Sequence, residues 1–222
     1  SATARGRVVL AEVSSQVPRT PCDAPLQPGE ITVAVHSDRT PLELPPAKFG
    51  ELERRIAAHV AGLIPDRATL QMGIGAVPEA IVSLLADRRD LGVHSGMVGD
   101  SLVDLMESGA LTNAHKGLDA GVSVSGVLFG TQRLYRFAHD NPQLRLCPTR
   151  YTHHASTLAR VKKLVSVNSA LEVDLTGQVN AEAIGADYIG AVGGQVDFVR
   201  AGGQVEGGVS IGADGKASEL PL

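Results

Sequence analysis

The sequence predicts an α/β fold, a mainly parallel sheet flanked by helices. Three observations predict it. Apolar runs with a period near two alternate with segments whose apolar residues recur at three and four. Prolines and glycines stand at several junctions between them. At 222 residues, 43% hydrophobic and 20% charged, the chain can bury one large core or a domain plus a piece of another.

The elements follow in order. Arg7–Val13 reads as a strand, the proline-bearing stretch from Pro18 to Pro28 as a loop, and Ile31–His36 as a second strand. Pro41, Pro45 and Pro46 mark a linker, which places a boundary near Leu44–Ala47 and divides the chain into 1–46 and 47–222. Phe49, Leu52, Ile56, Val60 and Leu63 then form the apolar stripe of a helix ending near Pro65. Ala68–Met72 is a strand, Gly73–Ile74–Gly75 a turn, and Pro78 opens a helix. Leu91–His94 is a strand that ends before Gly96. Asp100 is the N-cap of a helix over Ser101–Ser108, closed by Gly109. Val122–Phe129 is a strand, Leu134–Ala138 a short helix stopped at Asn141–Pro142, Leu144–Cys147 a strand and Ser156–Val161 a helical turn. From Val165 an apolar run with a period near two extends to Leu175, which puts Glu172 and Asp174 on one strand face. Gly177 turns the chain, and Gly190, Gly193 and Gly194 form a loop where backbone can approach a ligand closely.

Composition excludes several function classes. Nothing approaches the ~18 consecutive apolar residues of a membrane span, and no signal peptide is visible. Cys22 and Cys147 suit a reducing compartment, so a cytoplasmic protein is expected. Mild acidity (net −4) and few aromatics argue against nucleic acid. His153–His154 has no metal-ligand spacing, so no metal is expected. A dinucleotide enzyme is disfavoured, since no strand leads into GxGxxG.

Two segments carry a resemblance. NSALEVDLTGQVNAE (168–182) followed by GAVGGQVDF (190–198) is similar to the acetyl-CoA hydrolase/CoA-transferase family, which includes 4-hydroxybutyrate and acetate CoA-transferases. GIGAVPEAI at Gly73–Ile81, DLGVHS at Asp90–Ser95, DLMESGALTN at Asp104–Asn113 and the NP at Asn141–Pro142 match in the same order. The resemblance implies a CoA-transferase-like (NagB/RpiA-type) fold. Residues 1–46 would be the end of a first half plus linker, and 47–222 a second half, incomplete at its end. After Arg200 the match weakens and the family's TEYG-type block is missing, so the chain is either a piece of a longer protein or lacks segments.

The resemblance also implies a site. The family's nucleophilic glutamate lies in an HTEM-like block, read here as His94–Ser95–Gly96–Met97, which puts Gly96 at the glutamate position. A glycine cannot form the acyl-glutamyl anhydride. The family's Y-x-N-N-P-like block reads Tyr151–Thr152–His153–His154–Ala155, with His153 at the position of an asparagine that binds the acyl oxygen. His153 is therefore a candidate oxyanion donor, together with the backbone from Gly190 to Gly194. Glu172 is a candidate base that activates water, or else a structural carboxylate. Asp197 more often braces the glycine loop than does chemistry. His94 is a relay, or a histidine bonded to backbone. Gly73, Gly75, Gly193, Gly194 and Gln195 are candidate coenzyme A contacts, Gly73–Gly75 being otherwise a plain strand–helix turn. Gly96 should face the glycine loop, with space where a carboxylate would sit.

The expected function is CoA transfer between an acyl-CoA and a small carboxylate, or acyl-CoA hydrolysis. Coenzyme A is a substrate and no cofactor is held tightly. The alternative is a catalytically impaired, CoA-binding or scaffold member of the family. A homodimer is expected from the resemblance and from the frequency of two-fold assemblies.

Overall fold

Thr69–Met72 and Leu164–Val167 are short runs buried almost throughout, a burial that suits the interior strands of a parallel sheet. They are such strands in the computed structural model, which describes residues 8–188, 190, 193–202, 209–211 and 217–218. The elements in chain order are β1 (Leu10–Ser14), β2 (Val33–Ser37), α1 (Glu51–Gly62), β3 (Thr69–Met72), α2 (Ala76–Val82), β4 (Gly92–Val98), α3 (Ser101–Glu107), β5 (Ser123–Leu128), α4 (Gln132–Ala138), β6 (Leu144–Leu146), α5 (Thr149–Thr152), α6 (Ala155–Leu158) and β7 (Leu164–Val167). Short pieces β8 (Glu172–Val173), β9 (Val179–Asn180), β10 (Ala183–Ile184) and β11 (Asp187–Tyr188) follow. Then come α7 (Gln195–Gly202), β12 (Val209–Ile211) and β13 (Ala217–Ser218).

The main sheet has the order β13-β12-β7-β3-β4-β5-β6. All its pairings are parallel except β12 with β13. The chain steps outward from β3 to β6 through α2, α3 and α4, then returns across the sheet to place β7 on the other side of β3. Strand alternation on β7 separates two apolar clusters. Leu164 packs with Leu158, Val161, Phe198 and Ala201, whereas Val165 and Val167 join the larger cluster built with α1, α2 and α3. The clusters therefore lie on opposite faces. No helix among the described residues is long and apolar enough to cross a membrane.

Several expectations needed correction. In α1, Leu52 is 63% exposed, because the buried stripe narrows to Ala57, Val60 and Ala61. Asp100 precedes α3 but makes no side-chain cap. Its carboxylate instead accepts from Thr131 N (2.8 Å) and Thr131 Oγ1 (2.7 Å), holding the β5–α4 turn against the start of α3. The run from Val165 is not one strand. It leaves the sheet after Val167, and Glu172–Val173 belongs to an exposed antiparallel pair with β9. Asp174 sits at the turn of that pair, accepting from Thr176 N and Gln178 N, so it shares no strand face with Glu172. The N-terminal strands pair with each other in parallel and not with the main sheet. Their segment still clasps the β6 edge: Leu146 N donates to Pro21 O and Asp23 N to Leu146 O.

Lys116 is among the largest fully buried side chains, at 1% exposure. Its stem lies against Gly92 in β4, where a Cβ would collide with it, and Nζ donates to Val122 O (2.6 Å). Burial pushes its pKa down to about 8 from the ordinary 10.5, opposed by the Asp119 carboxylate. The folded state therefore sheds this proton at lower pH than the unfolded chain. Stability gains a rising component between about pH 8 and 10.5, on the order of 3 kcal/mol. Urea midpoints of the native protein are expected to rise with pH at the start of that window relative to Lys116→Met. Parallel curves for the two proteins would refute the account.

Gly126 in β5 stands opposite Gly96 in β4, between the pairs Ser95↔Ser125 and Met97↔Val127. A Cβ on Gly126 would lie 2.6 Å from Gly96 O, a backbone atom that cannot swing aside. Gly126→Ala is expected to cost about 1–3 kcal/mol in chemical denaturation. An unshifted midpoint would show that the two strands can part freely here.

Candidate active site

β4 runs through Gly96 to Val98 rather than stopping at His94. A glycine inside a strand marks a close approach of other atoms, and here they come from the segment after β6. There, α5 ends at Thr152, His153 follows, and His154 caps α6 by accepting from Ser156 N. Thr152 is fully buried and touches both neighbouring imidazoles. Its carbonyl accepts from His94 Nε2 at 3.1 Å, and its Oγ1 is 2.7 Å from His153 Nδ1. Because a carbonyl only accepts, His94 carries its proton on Nε2.

His94 is thus a backbone-bonded histidine. Its ring is fully buried, and Nδ1 has no hydrogen-bond partner among the described residues. Burial lowers its pKa to about 4, with the charge of Lys116 acting in the same direction. The ring lies 6.1 Å from Tyr151, whose hydroxyl donates to Asp119 Oδ2 (2.8 Å). Asp119 also accepts from Arg145 Nη2 (2.5 Å). This column of polar groups fixes α5 beneath His153.

His153 occupies the expected space beside Gly96. A Cβ built on Gly96 would lie 2.8 Å from His153 Cε1 and 2.9 Å from Nε2. A Cβ on Gly194 would collide with the other side of the same ring, at Nε2 and Cδ2. Phe198, from α7, packs on the imidazole with centroids 4.7 Å apart. Gly96 does face the glycine loop, but the gap between them is filled by an imidazole instead of being open. The ring is half-buried. Desolvation holds its pKa below the ordinary 6.5, and the Asp197 carboxylate acts in the opposite direction. The result is a neutral, partly accessible imidazole at the carboxyl edge of a parallel sheet, where α/β folds bind ligands.

The structure brings Gly96, His153 and Gly194 together, with Gln195 half-buried at the start of α7 beside them. Gly193 is exposed next to Gly194. Gly190 N already donates to Glu182 O (3.1 Å). Glu172 is exposed and accepts from Asn180 Nδ2 (2.9 Å). Gly73 and Gly75 lie at the same edge but lead into α2, on the opposite face from α7. Gly73 lines a crevice of about 30 Å³ with Ser95, Met97 and Leu102, room for a water or two. Gly75 adopts φ +120°, a conformation L side chains rarely reach, so its backbone alone requires glycine. Among the described residues, no group of three or more His, Cys, Asp and Glu could hold a metal ion.

Sequence reasoning missed three contributors. Gly126 had a signal, a glycine inside an alternating run. Thr152 had one in its place between Tyr151 and His153. Phe198 had none beyond its place after the glycine cluster, since only packing shows that its ring meets His153.

Comparison with known proteins agrees with this architecture. A family model described as acetyl-CoA hydrolase/transferase C-terminal domain matches residues 130–214. The chain is 39% identical over 205 residues to the 4-hydroxybutyrate coenzyme A transferase of Clostridium kluyveri, covering 92% of this chain and 48% of that protein. The crystal structure of a 4-hydroxybutyrate CoA-transferase from Porphyromonas gingivalis superimposes with TM-score 0.85 at 32% identity, over 95% of this chain and 50% of that one. RipA from Yersinia pestis superimposes with TM-score 0.85 at 34% identity, over 96% and 49%. The chain spans about half the length of the curated relatives it matches. On these matches, spanning both the sheet and the glycine-rich segment after it, the chain belongs to the acetyl-CoA hydrolase/CoA-transferase family.

Proposed function

We propose that the protein acts on acyl-CoA thioesters, by CoA transfer to a small carboxylate or by hydrolysis. Coenzyme A is then a substrate rather than a resident cofactor. The observation that carries this reading is the convergence of Gly96, His153 and Gly194 at the carboxyl edge of the sheet. Gly193, Gly194 and Gln195 are read as coenzyme A contacts, with Gly193 open to close approach. Glu172 is read as the structural carboxylate of its hairpin, since it holds Asn180. In the same reading residues 1–46 end a first CoA-transferase half and 47–222 form a second, and the protein works in the cytoplasm as a dimer. The separate pairing of β1 with β2 supports the division.

A second reading, a CoA-binding member without turnover, is favoured by one observation. The imidazole stands where a residue-96 side chain would begin. Calorimetry with free CoA, together with acyl-CoA consumption in the presence and absence of labelled acetate, separates the readings. Binding with consumption supports the first, binding alone the second, and neither would sink both.

The steric relation yields a sharper expectation. Gly96→Glu alone must displace the His153 ring and is expected to cost about 1–3 kcal/mol without generating exchange. Gly96→Glu combined with His153→Asn removes the collision, and is expected to be more stable than the sum of the single changes and to exchange label between acetate and acyl-CoA. Equal exchange by the single Gly96→Glu variant would show that His153 does not obstruct position 96.

A further inference from the structure

We propose that His153 is the catalytic base of this chain, with Nε2 activating water against the acyl-CoA thioester. This rests on the acyl-CoA reading above and narrows it to hydrolysis. The argument begins with what holds the ring. Thr152 Oγ1, on a fully buried residue, is 2.7 Å from Nδ1. In the proposed tautomer Nδ1–H donates to that hydroxyl and the lone pair of Nε2 is free, and Nε2 is the ring atom that a side chain at either Gly194 or Gly96 would strike. A base whose far nitrogen is fixed by a buried partner is the arrangement that general-base catalysis uses.

The glycines supply the second part. Side chains at 96 and 194 would both strike the ring, so their absence admits the imidazole and leaves its edge uncovered. Phe198, 1% exposed, supports one face. The charged and titratable groups acting on the ring are Asp197 from α7 and His94 from β4. His94 is neutral through burial, so Asp197 is the one full charge of the two. Burial of His153 itself outweighs it and keeps the imidazole unprotonated near neutral pH.

The step balances without a further reactant. A water oxygen bonds to the thioester carbonyl carbon as one water proton passes to His153 Nε2. The tetrahedral intermediate collapses, the C–S bond breaks, and the departing CoA thiolate takes the proton from the imidazolium. The products are the thiol of coenzyme A and a carboxylic acid, which ionises in solution. No covalent acyl-enzyme forms, so the missing carboxylate at Gly96 is not required.

The test uses the native protein with His153→Asn and His153→Gln, the second filling more of the ring's space with an amide that cannot accept a proton at neutral pH. Thiol release from acetyl-CoA is followed across pH, and binding of free CoA is measured by calorimetry. Native kcat/KM is expected to rise with pH to a plateau, with its inflection below the ordinary histidine value of 6.5. Both variants are expected to lose about 10²–10⁴-fold in kcat and the rising limb with it, while still binding CoA. A variant that binds CoA and keeps the native rate and pH limb would overturn the assignment of His153 alone. A native protein that neither binds CoA nor releases thiol would overturn the acyl-CoA reading beneath it. If His153→Asn fails to fold, His153→Gln carries the same decision.

Discussion

Parallel strands cannot be joined by a tight turn, and the architecture follows from that constraint. Each step from β3 to β6 needs a helical crossover, and β3 acquires its second neighbour only when the chain returns as β7. Thr69 pairs with Gly92 on one side and with Leu164 on the other. The return puts every loop that follows a strand on one edge. Segments distant in sequence (the end of β4, the residue after α5 and the start of α7) meet there. Gly96, His153 and Gly194 are neighbours because of this winding. None of them is held by a contact local to the others.

Much of this was legible in the sequence. The alternation of periods gave the parallel sheet, and β2, β3, β5 and β6 lie within a residue or two of their expected positions. The failures have physical reasons. β4 read short because Gly96 interrupts its apolar pattern, yet pairing with β5 resumes beyond it at Met97 and Val98. The run after Val165 read long because Leu171, Val173 and Leu175 keep the strand period. Periodicity cannot say that the chain has left the sheet, and Leu175 ends fully exposed. Asp100 read as a cap because it precedes a helix, but Thr131 offered its carboxylate two donors from a distant turn.

The sequence singled out Gly96, His153 and the glycine loop one by one, but not their packing against each other. The chain carries a glycine at 96 and a histidine at 153, far apart in sequence. The structure shows that the two positions are sterically coupled, since the ring at 153 occupies volume that a side chain at 96 would need. A linear reading treats the two positions independently. Only the three-body arrangement with Gly194 couples them.

Thr152 has a wider role than either imidazole. Its carbonyl is bound to the inner ring of His94 and its hydroxyl to the outer ring of His153. The two rings are therefore attached to opposite ends of a single residue, one ring sealed in the interior and the other reaching the surface. Any turn of α5 about its axis would shift the His153 ring and pull the Thr152 carbonyl away from His94, which is fixed on β4. The orientation of the accessible ring is consequently set from inside the protein, by the column of Arg145, Asp119 and Tyr151, and not by the solvent-facing loop next to it.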